Sequence, residues 1–273
     1  KVVLITGGSS GIGAATAVAC ARAGMHVTVV ARREDKLKRV AQAVASLGRR
    51  GHWVLADVRK PQDVRRMVEE CRGVYGRLDV VFANAGYGFY SSVLGMTEAQ
   101  HRDIFETNYF ATVSTVRAAM PLLRDTHDGL RHILICSSAA SEIGLPYFGA
   151  YCATKAAQDS IAGAMRAELH PQGFRVTSVH PVGTRTEFFT TAENLSPDTP
   201  RATGTPESMT QSVEHVADRI VAALRRPRPE VWPSPFARYA LALATACPGF
   251  AAWAMRRQQR KAVTQPEADP PDN

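Results

Sequence analysis

The sequence predicts an α/β fold in which helices cover both faces of a doubly wound parallel sheet. Short apolar segments alternate with helical segments from the first residue onward, which is typical of successive strand–helix–strand units. The segments at residues 2–5 and 27–30 are apolar almost throughout, as expected of strands that are covered on both faces. Right-handed crossovers between such strands give a doubly wound sheet.

Each element of this sheet has its own signals in the sequence. The first two helices end before Gly24 and Gly48, and the third begins at Pro61. The predicted strands are residues 1–5, 26–31, 52–56, 78–83, 131–137, 174–180 and 230–232. The predicted helices are residues 11–23, 34–47, 61–75, one or two within 97–124, 147–170 and 213–226. Residues 184–212 are rich in Thr, Pro and Glu, which predicts a mobile loop.

The composition is that of a globular protein with one main domain. The 273 residues are 45% apolar and 21% charged, which excludes disordered, collagen-like and fibrous classes. The net charge of +8 allows a nucleic acid, an acidic lipid surface or an anionic cofactor as partner. No recognition-helix or base-stacking signature supports nucleic-acid binding. We expect a catalytic domain over residues 1–232, an apolar extension over 233–262 and a disordered tail over 263–273.

Cysteine usage indicates a reduced compartment and no metal site. The five cysteines are scattered and form no C-x-x-C pair, which argues against a disulfide framework or a zinc site. A cytoplasmic protein, with peripheral contact at a membrane surface left open, fits this pattern best. The chain opens at Lys1 rather than at Met, which leaves open a trimmed leader.

A glycine-rich turn joins the first predicted strand to the first helix. Glycines at this junction let the backbone turn sharply and approach a diphosphate, and the helix start offers free N–H groups. The alternative is a plain tight turn, but the position favours a dinucleotide site in a Rossmann-like fold. The candidate phosphate-binding residues are Gly7, Ser9, Ser10, Gly11, Ile12 and Gly13.

The end of the second predicted strand indicates which dinucleotide binds. An acidic residue there would accept a hydrogen bond from the adenosine ribose and repel a 2′-phosphate, whereas this chain has Arg32 and Arg33. Guanidinium groups match a phosphate in charge and geometry, so the sequence favours NADP(H) over NAD(H). The alternative is that both arginines are solvated residues at a helix start.

Two later strand ends complete the expected cofactor site. Asp57, with Val58 beside it, follows the third strand and is a candidate for the adenine amino group; its alternative is a turn or helix-capping carboxylate. Asn84, Ala85 and Gly86 follow the fourth strand, where they form either a plain loop or backbone against the cofactor.

Tyr151 and Lys155 are four residues apart on a predicted helix and therefore share one face. Hydride transfer to a carbonyl creates an alkoxide that needs a proton. A tyrosine can donate it when a nearby ammonium brings its pKa, ordinarily about 10, toward neutrality. Ser138, at the end of the fifth strand, can hold the substrate oxygen. The alternative for each residue alone is an ordinary structural position.

These motifs together resemble the short-chain dehydrogenase/reductase family, in its single-domain branch with a Tyr151-x-x-x-Lys155 active site. The matching segments cover residues 1–232: the glycine-rich turn at 6–13, Ala83 to Gly86, Asn108, Ser138, Tyr151 with Lys155, and Pro181 to Gly183. Two departures are Ala83, where Asn is commoner, and Ala111, where Gly often follows the Asn; neither removes a reacting group.

The resemblance implies a role for each matching residue. Tyr151 would be the general acid/base, Lys155 would lower its pKa and bind the nicotinamide ribose, and Asn108 would anchor a water in a proton relay. Thr184, beyond the cofactor-binding Pro181 and Gly183, would hold the carboxamide. The family needs no metal and usually forms homodimers or homotetramers, and its members with Arg after the second strand generally prefer NADP(H).

The residues expected around the substrate are apolar or aromatic. Besides Ser138 and Tyr151 they include Ile143 and Phe148, with Tyr87, Phe89, Leu145, Tyr147, Phe188 and Phe189 nearby. A hydrophobic secondary alcohol or ketone is therefore favoured over a sugar or an acid. The alternative is that half of these residues belong to the core.

The apolar extension contains no charged residue between residues 239 and 255 and is broken at Pro248 and Gly249. Two short helices are favoured over a membrane span, with either protein packing or contact at a membrane surface as their role. The main alternative to an enzyme is a non-catalytic dinucleotide-sensing or scaffold protein of the same fold, against which the intact Ser138, Tyr151 and Lys155 argue.

Overall fold

The computed structural model describes residues 1–196, 210–249, 252–253 and 256. Within them, seven parallel strands form one sheet in the order β3-β2-β1-β4-β5-β6-β7. The strands are β1 Val2–Thr6, β2 His26–Ala31, β3 Gly51–Leu55, β4 Val80–Ala83, β5 His132–Cys136, β6 Arg175–Val179 and β7 Glu230–Val231. The helices are α1 Gly11–Arg22, α2 Glu34–Ser46, α3 Pro61–Tyr75, α4 Glu98–Phe105, α5 Ala111–Asp125, α6 Gly149–Leu169, α7 Glu187–Asn194, α8 Val213–Arg225 and α9 Pro235–Ala246. The doubly wound, Rossmann-like prediction is confirmed.

Alternate side chains of β1 enter two different cores, one on each face of the sheet. Val3 and Ile5 lie with residues of α1, α2 and α8, whereas Val2 and Leu4 lie with residues of α3, α5 and α6. All of β1 is buried. A strand covered on both faces must be apolar at every position, which explains its unbroken hydrophobic sequence.

The order of the strands places a crevice at one edge of the sheet. The chain runs from β1 outward to β2 and β3, then returns to pair β4 on the other side of β1. At this reversal the helices that follow β1 and β4 cover opposite faces of the sheet, and open α/β sheets bind ligands in the crevice at the carboxyl ends of the strands. The segments that begin at Gly7, Asn84 and Ser137 all leave the sheet at this edge.

Several predicted boundaries are wrong by one or two residues, for identifiable reasons. The fourth strand begins at Val80 rather than at residue 78. Just before it, the Asp79 side chain accepts a hydrogen bond from Val2 N, so a side chain takes part in the pairing with the start of β1. The long helix begins at Gly149 rather than at 147, because Tyr147 has a left-handed φ of 57° that a helix excludes. The region 97–124 forms α4 and α5, joined by a π-helical turn at Glu106–Phe110.

The region predicted as a loop contains a helix, α7, at Glu187–Asn194; its Thr186 hydroxyl accepts a bond from Phe188 N. Residues 197–209 lie outside the described part of the chain, as do most of the predicted second apolar helix and the tail 263–273. The first apolar helix is α9, of which only Ala237 is buried. Across the described residues, no helix is long and apolar enough to cross a membrane.

Candidate active site

The glycine-rich turn is closely packed against the loop that follows β4. Gly7 has φ 65°, and a Cβ there would lie 2.9 Å from Ala85 Cα. A Cβ on Gly13 would overlap the Gly7 carbonyl oxygen, so this glycine serves helix packing. Asn84 Nδ2 donates to the Thr6 and Gly7 carbonyls at 3.0 and 3.3 Å, which fixes the turn in place. The turn is therefore tied to the loop after β4 by both packing and hydrogen bonds.

The start of α1 is open to an anion. Its first turn contains no acidic residue, and the Ser10 side chain makes no capping bond. Instead, Arg33 Nη2 donates to Ser10 Oγ at 2.6 Å and to Ser9 Oγ at 3.1 Å. Free N–H groups and the helix dipole remain available here to attract a phosphate.

Arg33 belongs to a charged cluster at the rim of the same cleft. Its Nη1 lies 2.7 Å from Glu187 Oε2, and Lys36 Nζ lies 2.5 Å from Glu187 Oε1. The hydrogen bonds from Lys36 and Arg33 lower the pKa of Glu187 to about 2. Arg32 lines the cleft beside them. The cluster joins α2 to α7, and the Glu187 carboxylate already pairs with both Arg33 and Lys36.

The carboxylate of Asp57 is held in a turn by Arg59. It accepts from the Arg59 backbone N at 3.0 Å and from Nη2 at 2.7 Å, and the side-chain bond is the main reason that its pKa is lowered. Arg59 also bonds Asp103 at 2.8 Å. The Asp57 carboxylate thus makes the turn contacts that the sequence analysis gave as its alternative role. Its binding to the adenine amino group stays a prediction.

Ser138 and Tyr151 line the same cleft. Ser138 Oγ accepts from Ala140 N at 3.1 Å, and the serine is near enough to Tyr151 to affect the pKa of its phenol. Burial raises the pKa of Tyr151, and the nearby Ser138 lowers it by less. The net shift of the Tyr151 pKa is therefore away from neutrality, opposite to the expected direction. A neutral phenol is, however, the form that can give up a proton.

Lys155 lies one helical turn beyond Tyr151 and is 4% exposed. Burial lowers its pKa to about 8. Its Nζ donates to the Cys136 carbonyl and to Gln158 Oε1, both at 2.8 Å. Two of its three N–H groups are therefore used, and one remains for the cleft that Lys155 lines.

Asn108 is buried in the π-helical turn rather than in the cleft wall. Its Nδ2 donates to Tyr87 O and Thr154 Oγ1, both at 3.0 Å, and its Oδ1 accepts from Tyr87 N at 3.0 Å. The side chain thus fixes the loop after β4 to α6. Only its backbone carbonyl faces the Lys155 network, through Gln158.

The predicted site residues converge on one cleft of about 360 Å³. Its walls include every predicted cofactor-binding residue except Gly13, together with Ser138, Tyr151 and Lys155. Of the predicted substrate residues, Ile143 is not among the cleft-lining residues in the described chain, and Phe148 packs behind Tyr151 with ring centres 4.4 Å apart. Phe188 and Phe189 from α7 line the cleft instead, beside Tyr87.

A model of the short chain dehydrogenase family matches residues 1–195. The chain belongs to this family. An uncharacterized oxidoreductase of Mycobacterium tuberculosis is 35% identical over 247 residues, which cover 88% of this chain and 68% of the relative. An uncharacterized oxidoreductase of Escherichia coli K12, YbbO, is 31% identical over 90% of this chain and 87% of its own.

Solved structures of dinucleotide-bound dehydrogenases share the fold. An alcohol dehydrogenase from the archaeon Thermococcus sibiricus, complexed with 5-hydroxy-NADP, is 26% identical with a TM-score of 0.74, covering 85% of this chain and 94% of that one. A short chain dehydrogenase from Mycobacterium paratuberculosis, bound to NAD, has the same identity and TM-score and covers 85% and 95%. This short-chain dehydrogenase is accordingly an oxidoreductase of a dinucleotide-binding family.

Sequence reasoning missed four residues of this dehydrogenase site. Thr6 receives bonds from the backbone of Asn84 and Ala85, Arg59 holds Asp57, Glu187 holds Arg33, and Gln158 holds Lys155. Gln158 lies three residues after Lys155 on the same helix face, so helical spacing alone could have found it. Glu187 carried no such signal, because its partners are more than 150 positions away. Among the described residues, no group of three or more His, Cys, Asp or Glu could hold a metal.

Proposed function

We propose that this dehydrogenase transfers hydride between NADP(H) and a hydrophobic secondary alcohol or ketone, with Tyr151 as the general acid/base. The observation that carries the proposal is that Ser138 and Tyr151 line the same cleft beside the buried ammonium of Lys155, whose Nζ is held by the Cys136 carbonyl. All three residues line the cleft that the glycine-rich turn also lines. The non-catalytic alternative is not favoured, since a dinucleotide sensor needs none of these three side chains.

In the proposed reaction, the reduced nicotinamide supplies a hydride to the carbonyl carbon. The Ser138 hydroxyl holds the carbonyl oxygen, and the Tyr151 phenol gives that oxygen its proton, so that an alcohol forms and a phenolate remains. The charge of Lys155 stabilises the phenolate, because an ammonium near an anion favours its ionised form. In alcohol oxidation the phenolate takes the proton back.

The residues at the phosphate end of the cleft support NADP(H). Arg33 lies against Ser9 and Ser10 at the start of α1, and Arg32 lines the adjacent wall. Their guanidinium groups suit a 2′-phosphate, and no acidic residue at the end of β2 opposes one. At the other end, the backbone of Gly183 bonds Gln211 N at 3.0 Å and supports the segment of Pro181 and Thr184 proposed to hold the carboxamide.

The proposed substrate is hydrophobic because aromatic rings surround the proton donor. The Phe188 ring lies 5.3 Å from that of Tyr151, and Phe189 and Tyr87 line the same cleft. Apolar walls with few polar groups are typical of sites for hydrophobic ligands. Ser138 and Tyr151 are the polar groups that would orient a single carbonyl oxygen.

The test is oxidation of NADPH and of NADH by the purified chain across a panel of aliphatic, cyclic and aromatic ketones, with the matching alcohols in reverse. We expect turnover with hydrophobic ketones and higher kcat/KM for NADPH. The proposal fails if the protein binds NADPH yet turns over no carbonyl or alcohol of the panel, and its cofactor assignment fails if NADH is preferred.

The homodimer or homotetramer, the cytoplasmic location and contact with a membrane surface stay predictions. Helix α9 exposes Phe236, Tyr239 and Leu243, which are 70%, 73% and 62% accessible and lie along one side of the helix at spacings of three and four. Exposed apolar stripes of this kind are normally covered. Light scattering of the full chain and of a chain ended after Trp232 tests whether a second subunit covers this stripe. Liposome co-sedimentation of both tests whether a membrane surface does.

A further inference from the structure

The strongest unassigned feature is the side chain of Gln158, which lies fully buried between Lys155 and Asn108. Its Oε1 accepts from Lys155 Nζ at 2.8 Å. Its Nε2 donates to the Asn108 carbonyl and to Thr112 Oγ1, both at 2.7 Å. Every polar atom of the carboxamide is therefore bonded, and one of its partners is the proposed active-site ammonium.

The bridge occupies the place where the family resemblance leads one to expect a water. That resemblance assigns to Asn108 a water in a proton relay. In this chain the Asn108 carbonyl instead accepts from two side chains, Gln158 at 2.7 Å and Thr112 at 2.8 Å. A carbonyl oxygen has two lone pairs, so these two donors satisfy it.

We propose that Gln158 is a positioning residue that fixes the Lys155 ammonium to Asn108 directly, in place of a relay water. The inference rests on the proposed function of Lys155. A carboxamide accepts at its oxygen and donates at its nitrogen, and it passes no proton along the chain without changing to its imidic tautomer. The Asn108–Gln158 branch therefore holds the lysine in position and carries no proton.

The bond between Lys155 and Gln158 matters because Lys155 is charged. An ammonium that is removed from water depends on the acceptors that surround it, and here these are the Cys136 carbonyl and Gln158. Loss of the Gln158 oxygen leaves a buried ammonium with one fewer acceptor, which favours its neutral form. A neutral Lys155 no longer stabilises the Tyr151 phenolate.

Three substitutions separate this role from simple core filling. Gln158→Met keeps nearly the same volume and supplies neither oxygen nor N–H. Gln158→Ala opens space of more than the roughly 30 Å³ that one water occupies, beside Lys155, Asn108 and Thr112 as polar partners. Gln158→Glu keeps an acceptor for Lys155 and makes it anionic. Gln42→Met, at an exposed position on α2, is the matched control.

The first measurement is an NMR titration of the Lys155 ammonium in the protein without cofactor or substrate, assigned with Lys155→Arg. The chain has only six lysines, which makes the assignment practical. We expect Gln158→Met to lower the Lys155 pKa by about one pH unit, corresponding to one lost bond to a charged group. Gln158→Ala lowers it less, because a water replaces the amide, and Gln158→Glu raises it.

The second measurement is the pH profile of kcat for alcohol oxidation, which reports the phenolate of Tyr151. We expect Gln158→Met to lose at least about tenfold in kcat at neutral pH and Gln158→Ala to lose less. In the Met variant the rising part of the profile, which follows formation of the Tyr151 phenolate, is expected to move to higher pH. KM is expected to change little, because Gln158 does not line the cleft.

The proposal is overturned if Gln158→Met titrates like the wild type and Gln42→Met. Should the Met variant fail to fold, the Ala and Glu variants decide, since equal Lys155 titration in both contradicts a direct contact. Failure of the proposed function is distinguishable from failure of this inference. A wild type without turnover refutes the function, whereas the order of the titrations in the unliganded protein depends only on Gln158.

Discussion

The Lys155 ammonium lies 5.5 Å from the centre of the Tyr151 ring, one turn along the same face of α6. Burial acts on the two groups in opposite directions, raising the pKa of the phenol and lowering that of the ammonium to about 8. Near neutral pH, both groups therefore carry their protons. This is the state from which a carbonyl can be protonated.

The first prediction is a fall in carbonyl reduction on the alkaline side. Lys155 loses its charge as the pH rises through about 8, so kcat for reduction is expected to decline above that pH. Lys155→Arg keeps a cation at higher pH and should lack this limb, at lower overall turnover. The check is the pH profile of kcat with saturating cofactor; a profile flat to pH 10 would contradict the account.

The second prediction concerns the cofactor. Arg33→Ala is expected to reduce the ratio of kcat/KM for NADPH to that for NADH by about tenfold, the effect of one charged contact to a phosphate. Arg32→Ala should act in the same direction. The control is Arg49→Ala, an exposed arginine in the turn after α2. If neither Arg33→Ala nor Arg32→Ala changes the ratio more than the control does, the two arginines have no part in cofactor choice.

The third prediction concerns Glu187, whose carboxylate already holds Arg33 and Lys36. A second anion at the same cations competes with it. Glu187→Gln is therefore expected to strengthen binding of 2′,5′-ADP by about threefold, as for a half-exposed ion pair, and to leave NADH binding unchanged. Glu34→Gln, which removes an equal charge paired with Lys38, is the control. Weaker binding of 2′,5′-ADP by Glu187→Gln would contradict this prediction and would mean that the carboxylate holds Arg33 and Lys36 in position for the phosphate.

The sequence predicted the arrangement of the fold because its signals are local. Unbroken apolar strands, glycines at helix ends and Tyr151 with Lys155 at helical spacing each depend on neighbours within a few residues. The family model and the relatives confirm the family, and the sheet order confirms the fold. The edges were less accurate where a side chain bonds the neighbouring strand in addition to the backbone, as Asp79 does at the start of β4.

The charged contacts of the site could not be predicted from local sequence signals. The bond of Glu187 with Arg33 joins the starts of α7 and α2, which lie 154 positions apart in the sequence, and no local pattern near either residue predicts the contact. Ile143 and Phe148 were placed in the substrate wall because they follow Ser138 in sequence. The chain turns at Tyr147, whose backbone is left-handed, and Phe148 packs behind Tyr151 instead. Tertiary packing decides which aromatic residues face a cleft.

The fourth prediction concerns stability. Burial raises the pKa of Asp79, but bonds from Arg77 and from Val2 N outweigh it, so the net pKa is lowered. Asp79→Ala is expected to cost about 3 kcal/mol in the free energy of unfolding, because it leaves buried partners unpaired. Asp128→Ala removes the exposed second partner of Arg77 and should cost far less.

The same carboxylate fixes the direction of the pH dependence. The folded-state pKa of Asp79 lies below the unfolded value near 3.8, so its contribution is full above that pH. It is lost as the pH falls through the folded-state value. Urea unfolding at pH 7 and pH 3 should therefore show the wild type and Asp79→Ala converging in acid. An undiminished difference at pH 3 would contradict this.

The fifth prediction tests the central claim, that Tyr151 gives the proton in a hydride-transfer reaction. Tyr151→Phe removes one hydroxyl and keeps the ring that packs against Phe148 and Phe188. NADPH-dependent reduction of the best ketone by the variant is compared with the wild type, and NADPH binding is followed by fluorescence. We expect turnover to fall by roughly 10² to 10⁴ with cofactor affinity nearly unchanged. Turnover within about tenfold of the wild type would contradict the assignment.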